Sequence, residues 1–357
     1  MQLSITSYPG HLTNVAYGSH RGAASLNDWY GYLLCFVLAG YATFGKGFAY
    51  IGIPPLFIGE ITLSLGILVV IRSGCWVAML ASVPSVLLLA LISLVILRAA
   101  PNFGTYGLDA ARDSMVAVYG VFAFVVIVLL LERPERFTRA IALYSRFAWF
   151  YGLTGMALMS SSDVLGSLMP SWPISGVSIV YLRLGEGAVH LTGAAIFVLF
   201  GLRRVGPIWV IIMLVSIGMV ALSRGALFSL LVPMTLAAML GRHRKRFGFV
   251  VLLAGALFAV AYAADVNVQM PNGRIMGPEQ IIHDMESVVG RSDAANLDGT
   301  KTWRLNWWHA IIGYTFNGRY FWVGKGFGPN LAVDDGFVVG SELGGPPVRS
   351  PHSVFMT

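Results

Sequence analysis

Nine apolar runs, each near the length of a membrane-crossing helix, dictate what this chain can become. They occupy 29–45, 56–71, 76–97, 114–131, 137–160, 186–202, 207–222, 226–240 and 247–264. A helix needs roughly twenty such residues to cross hydrocarbon, and most of these runs come close to that length. Inside a bilayer each backbone amide must find its partner within its own segment, so the runs are expected to be helical. Of the 357 residues 56% are hydrophobic and 11% are charged, and the mean hydropathy is +0.72. A soluble domain of this size carries far more charge. The expected fold is therefore an all-α membrane protein, a polytopic helical bundle over 29–264. A polar tail, 1–28, precedes it; this tail lacks the basic-apolar-small order of a cleaved signal and reads as cytoplasmic. A long segment, 265–351, follows outside the membrane, and 352–357 reads as the start of a further, truncated span.

The net charge of +7 does not point to nucleic acid, because the bases sit in short connections, where they orient a membrane protein. With the N-terminus inside, the inner connections hold Arg21, Arg72, Arg133, Arg136, Arg139, Arg203, Arg204, Arg242, Arg244, Lys245 and Arg246. The short outer connections hold only Lys46, Arg98, Arg112, Arg183 and Arg224. The bias places 265–351 outside. Cys35 and Cys75 lie in or beside apolar runs, which argues against a disulfide framework or a thiolate metal site. A Ser-, Pro- and Gly-rich stretch, 161–185, reads as an external loop, and Pro233 is expected to kink the eighth span.

The external segment holds the residues most able to carry chemistry. Its acids (Asp265, Glu279, Asp284, Glu286, Asp293, Asp298, Asp334, Asp335, Glu342) slightly outnumber its bases (Arg274, Arg291, Lys301, Arg304, Arg319, Lys325, Arg349). Anion binding must then come from individually placed arginines. Two stretches, 278–289 and 302–315, have helical periodicity. In the second, Trp303, Trp307 and Ile311 share a face, with Arg304 and Trp308 alongside; such an aromatic band suits a helix in the lipid headgroup zone. Arg304 is then either an interfacial anchor or a ligand contact. Arg224, in the turn Ser223-Arg224-Gly225, opens the eighth span on the outer side. An anion shared between its guanidinium and the free amides of that helix start would be stabilised, and the alternative is snorkelling to lipid phosphate.

His352 follows Pro351 where the chain meets the membrane again, and a neutral imidazole there can accept a proton from a hydroxyl. Glu186, opening the sixth span on the same face, is the alternative base, and Arg183 beside it joins the candidates for substrate binding. The turn Gly324-Lys325-Gly326-Phe327-Gly328-Pro329 is no P-loop, since Pro329 stands where a helix should begin; it reads as a close backbone approach that returns the chain to the membrane. Glu60, His190 and the pair Arg112-Asp113 are further ionisable groups at membrane depth, all but His190 near the outer face. No HExxH, CxxC, Asp-x-Asp or catalytic-serine motif indicates a metal or cofactor.

Taken in order, Ser223-Arg224-Gly225-Ala226-Leu227, the Arg304-x-x-Trp307-Trp308 helix, Gly324-x-Gly326-x-Gly328 and Pro351-His352 resemble the O-antigen ligase and O-antigen polymerase superfamily of bacterial membrane glycosyltransferases. Ser353 departs from the Asn that often follows the histidine there. The resemblance implies a GT-C-like bundle and a glycan donor on undecaprenyl diphosphate. It further implies transfer without metal to a hydroxyl acceptor (lipid A-core or a growing glycan) on the outer face of the inner membrane. It makes His352, Arg224 and Arg304 the catalytic set, with Arg224, Arg304, Trp307 and Trp308 as substrate contacts; Glu186 and Arg183 are substrate-contact candidates by their position at the outer start of the sixth span, not through the resemblance. An outer-face enzyme without nucleotide sugars must draw its activated sugar from a lipid, and two phosphates are natural partners for fixed arginines. Ligase, polymerase and protein O-glycosylating activities share these motifs. A flippase or transporter is the reading from another class, but the inverted repeats and mid-membrane polar breaks it would want are not evident.

Overall fold

The computed structural model describes residues 25–164, 168–220, 223–241, 244–269, 275–282, 295–338 and 349. Each apolar run is largely helical over its described residues. The long helices are α1 (Leu26–Phe44), α2 (Ile58–Ser73), α3 (Val83–Ala99), α4 (Leu108–Val118), α5 (Val121–Glu132), α6 (Glu135–Val164), α7 (Leu184–Leu199), α8 (Pro207–Val220), α9 (Arg224–Leu240), α10 (Arg244–Ala263) and α11 (Ala295–Phe316). Two small antiparallel pairs, Gly52–Ile53 with Leu56–Phe57 and Val268–Gln269 with Ile275–Met276, are the strands among the described residues. The molecule is all-α in class.

Three helical stretches, Val83–Tyr106, Leu108–Glu132 and Arg244–Ala263, are long and apolar enough to cross a membrane, and Leu184–Leu199, Pro207–Val220 and Gly225–Leu240 are apolar but shorter. The apolar side chains of the long stretches face outward: Leu97 is 71% exposed, Val116 72% and Leu252 75%. Water would not tolerate such a coat, whereas lipid requires it.

Two runs are divided where the sequence reading had single spans. Residues 76–97 split into the single turn Trp76–Met79 and α3, because Ser82 caps a new helix by accepting from the Ser85 amide at 3.4 Å, with Pro84 in its first turn. The fourth span begins earlier than residue 114. Gly107, at φ +52, starts α4, and Arg112 with Asp113 are carried inside it. A break at Gly120 separates α4 from α5.

The core is two packed halves. One sets Tyr30 of α1 and Val69 of α2 against Val125 and Leu129 of α5, with Ile92 of α3 on Phe124 and Val128 beside them. The other interleaves α6 to α9. Trp209 of α8 lies over Gly152 of α6, whose missing Cβ admits the indole, and Trp209 Nε1 donates to the Trp149 carbonyl at 2.8 Å. Tyr151, Leu191, Val220 and Ala226 pack with Ala42 of α1, joining the halves.

Helix alternation sorts charge between two ends. At one end Asp28, almost wholly buried, accepts from Arg133 (2.9 Å), Arg136 (2.8 Å) and the Ser25 amide (2.9 Å), with Arg139 at 3.7 Å. Arg136 in turn donates to Glu132 (2.6 Å) and the Leu129 carbonyl (2.8 Å), and Asn27 donates to Glu132 (2.9 Å). This network starts α1 at Leu26, inside the expected polar tail, through a capping box of Ser25 and Asp28. The opposite end holds the α1–α2 turn, the 168–183 loop, the starts of α7 and α9 and the α3–α4 corner. There Lys46 N donates to the Tyr181 carbonyl (2.9 Å) and Trp172 Nε1 to the Gly47 carbonyl (2.8 Å).

Burial pushes the Asp28 carboxyl up, but the hydrogen bonds from Arg136 and Ser25 outweigh it and hold the group at about 2, against an ordinary 3.8. A depressed acid contributes stability above its unfolded pKa and loses it as pH falls through the folded one. Thermal unfolding in detergent should therefore show a stabilising contribution from Asp28 that is full above about pH 4 and fades towards pH 2. Asp28→Asn should remove that pH dependence, while Arg136→Ala, which strands a buried carboxylate, should cost about 3 kcal/mol. Unchanged melting in Arg136→Ala would contradict the network's role.

Candidate active site

The start of α9 is built by packing. Val220 and Ala226, on either side of the Ser223–Arg224 turn, share one core cluster with Leu182, Ala188, Leu191, Tyr151 and Met159. The backbone of Arg224 is thereby fixed beside the Arg183–Glu186 corner of α7. Ser223 is extended (φ −123, ψ 117) and its side chain makes no capping bond to the first turn of α9. Such a helix start, with its amides pointing outward, suits an anion. The Arg224 side chain and His352 lie outside the described residues.

Around this start the structure gathers a cationic and aromatic cluster. Arg183 is exposed, donates to the Tyr181 hydroxyl at 3.4 Å and lies 5.5 Å from that ring. The Tyr181 hydrogen bond raises its pKa, so it stays charged. Lys46 sits 5.6 Å from the Tyr50 ring and 5.7 Å from Tyr181. Glu186 turns back on its own helix start, accepting from the Arg183 amide at 3.5 Å. One turn deeper, His190 meets Tyr151 edge to face at 5.6 Å, and the buried Tyr151 hydroxyl has no hydrogen-bond partner among the described residues. Lys46, Tyr50 and Tyr181 were not singled out from the sequence, where Lys46 served only to orient the chain. The one available signal was a lysine four residues before a tyrosine at a span's end.

A second group is organised by Asp335. Its carboxylate, 5% exposed, accepts from Trp307 Nε1 (2.8 Å) and the Tyr314 hydroxyl (3.2 Å) on one oxygen and pairs with Lys325 on the other. Both oxygens are satisfied, the condition on which a buried ion pair is tolerable. Burial first, then the nearby Asp335 carboxylate, push the Tyr314 hydroxyl up, so it remains a donor. Trp307, wholly enclosed, stacks on Phe337 (5.4 Å, 6°) over Ile311, Leu331 and Ala332, with Trp303 at its edge.

This corrects the headgroup-zone reading of the aromatic band. The face bearing Trp307 and Ile311 closes a small core of its own. Because Trp307 is enclosed, the substrate contact expected of it is not open to it in this arrangement. Arg304, on the neighbouring face, is exposed and makes no ion pair or hydrogen bond with another described residue, while Trp308 is half-buried.

The glycine turn fixes this unit to the bundle. Gly324, Gly326 and Gly328 have φ of +61, +89 and +102, and a side chain on Gly328 would strike Tyr106. The Gly328 amide donates to Asp113 at 3.0 Å, Arg98 donates to the Val323 carbonyl, and Arg349 reaches both Asp109 and the Gly328 carbonyl (2.9 Å). The expected close approach is thus onto the α3–α4 corner. Asp113, assigned from sequence to Arg112, serves both partners, with Arg112 at 3.6 Å.

The sequence candidates therefore fall into two neighbourhoods at the same end of the bundle: Arg183 and Glu186 beside the start of α9, and Arg304, Trp307 and Trp308 on the Asp335-centred unit. Glu60, an ionisable group near the outer face, accepts from the Tyr119 hydroxyl. Among the described residues no cluster of three or more His, Cys, Asp or Glu side chains is arranged to hold a metal ion. Comparison with protein-family models, with curated proteins and with solved structures returns no match.

If Asp335 and the glycine turn hold the unit together, Trp307→Ala should destabilise it by about 3–5 kcal/mol, the usual cost of emptying an aromatic site. Limited proteolysis should then cut within 302–338 several-fold faster. Gly328→Val, strained at positive φ and blocked by Tyr106, should have the same effect. Unaltered cleavage in both variants would contradict the docking described here.

Proposed function

We propose that this chain is a metal-independent, inverting glycosyltransferase of the bacterial inner membrane. It would move a glycan from undecaprenyl diphosphate to an acceptor hydroxyl, on lipid A-core or a growing glycan, at the outer face. The observation that carries this reading is that the α9 start with its Arg183–Glu186 corner and, in a separate neighbourhood, the exposed Arg304 lie at the end of the bundle opposite the one that holds Asp28 and most short-connection bases. On the positive-inside rule the base-rich end is cytoplasmic, which leaves the gathered candidates outside.

In this reading the acceptor oxygen attacks the anomeric carbon while the bond from that carbon to the diphosphate oxygen breaks. The hydroxyl proton passes to a base, His352, with Glu186 as the alternative. The departing diphosphate keeps the electron pair, and Arg224 and Arg304 stabilise the charge that develops on it. Guanidinium groups suit this task because their planar forks bind two phosphate oxygens at once without a metal. The amides at the start of α9 add further donors facing the same anion.

Transfer by the purified protein in liposomes, with a lipid-diphosphate glycan as donor, tests the roles separately. Arg224→Ala should lower turnover by about 10²–10³, the scale of one lost oxyanion contact, and should weaken donor binding. Arg224→Lys should restore little, since a point charge does not replace a bidentate fork. His352→Ala should abolish turnover while donor binding persists. Near-normal transfer by His352→Ala, with loss in Glu186→Gln, would assign the base to Glu186; near-normal transfer by both would refute the mechanism.

A further inference from the structure

At the base-rich end, away from the site above, a cavity of about 320 Å³ opens between α7, α8, α9 and α10. Ligand pockets begin at roughly this size. Its wall is carbon, chiefly Val198, Trp209, Met213, Met234 and Phe249, and its rim carries Lys245 and Arg246. Arg246 is held in place by donating to the Leu199 carbonyl at 3.2 Å and lying against Gly201, which uses one of its five N–H groups. Lys245 is exposed, and among the described residues neither cation has an acidic partner. The α10 helix itself buries none of its described residues.

We propose that this cavity holds an acyl chain of an anionic phospholipid, whose phosphate rests on Lys245 and Arg246. An apolar cavity whose mouth carries two cations without an acidic partner among the described residues is complementary to an amphiphile with an anionic head. A soluble phosphate would leave the apolar wall empty, and a zwitterionic lipid would bring its own cation towards Lys245. Basic pockets between helices on the cytoplasmic side favour anionic headgroups for this reason. Two thioethers in the wall, Met213 and Met234, can adapt to a flexible chain, and a seated lipid would add packing to α10, which buries none of its residues among the described ones.

Trp209, only 3% exposed and part of the wall, reports occupancy directly. The purified full-length chain in detergent is titrated with phosphatidylglycerol or phosphatidylcholine brominated on the acyl chains, and fluorescence is compared with that of Trp209→Phe to isolate one of nine tryptophans. Phosphatidylglycerol should quench the Trp209 component at a roughly fivefold lower mole fraction per engaged cation. The preference should vanish in Lys245→Gln/Arg246→Gln, both rim residues being replaced without loading the cavity. Excess inorganic phosphate should leave the quenching unchanged. Equal quenching by both lipids, a preference surviving the double substitution, an unquenched Trp209 component, or displacement by inorganic phosphate would each overturn the proposal. None of these readouts depends on glycan transfer, so the proposal stands or falls apart from that activity.

Discussion

Hydrocarbon tolerates no unpaired charge and no open backbone amide, and that constraint shapes the rest of this molecule. It favours a helix for each apolar run, turns apolar side chains outward, and draws most of the described ionisable groups to the two ends or to local partners. At the base-rich end the consequence is Asp28, whose burial is acceptable only because Arg133 and Arg136 bond to it directly. At the other end it is the Arg98, Asp109 and Asp113 set, which meets the glycine turn, and the Lys46–Tyr181 contacts. The helices are local products of hydrophobicity. The ends are products of long-range pairing.

That division explains what could be read from the residues alone. The nine runs are largely helical over their described residues, two of them in two pieces, because apolar length is a local signal. Their boundaries moved where a tertiary partner intervened: Asp28 and Arg136 are 108 residues apart, and their pairing draws α1 back to Leu26. The Gly328–Asp113 contact spans 215 residues, and no periodicity announces it. The glycines themselves were legible as a close approach, but not the surface approached. For Trp303, Trp307 and Ile311 the shared face was correct and its environment was not, since a stripe facing lipid and a stripe facing Leu331 and Phe337 have the same spacing.

The candidate site follows the same pattern. Arg183 and Glu186 were found individually, and packing through Leu182, Ala188 and Ala226 is what sets them beside the start of α9. Lys46 and Tyr181 join them only through the backbone pairing of the α1 end with the 168–183 loop. The glycosyl-transfer reading draws on this convergence and on one electrostatic argument: a diphosphate leaving group needs fixed cations on the face where charge is otherwise sparse.

Both the transfer reading and the lipid cavity depend on which end of the bundle faces out. The direct measurement is labelling by a membrane-impermeant maleimide in spheroplasts, after Cys35 and Cys75 are replaced by Ser. Single cysteines are placed at Val333, exposed on the Asp335-centred unit, and at Lys245, exposed at the other end. Val333→Cys should be labelled in intact spheroplasts and Lys245→Cys only after lysis. Labelling of Lys245→Cys in intact spheroplasts, with Val333→Cys protected until lysis, would contradict that orientation.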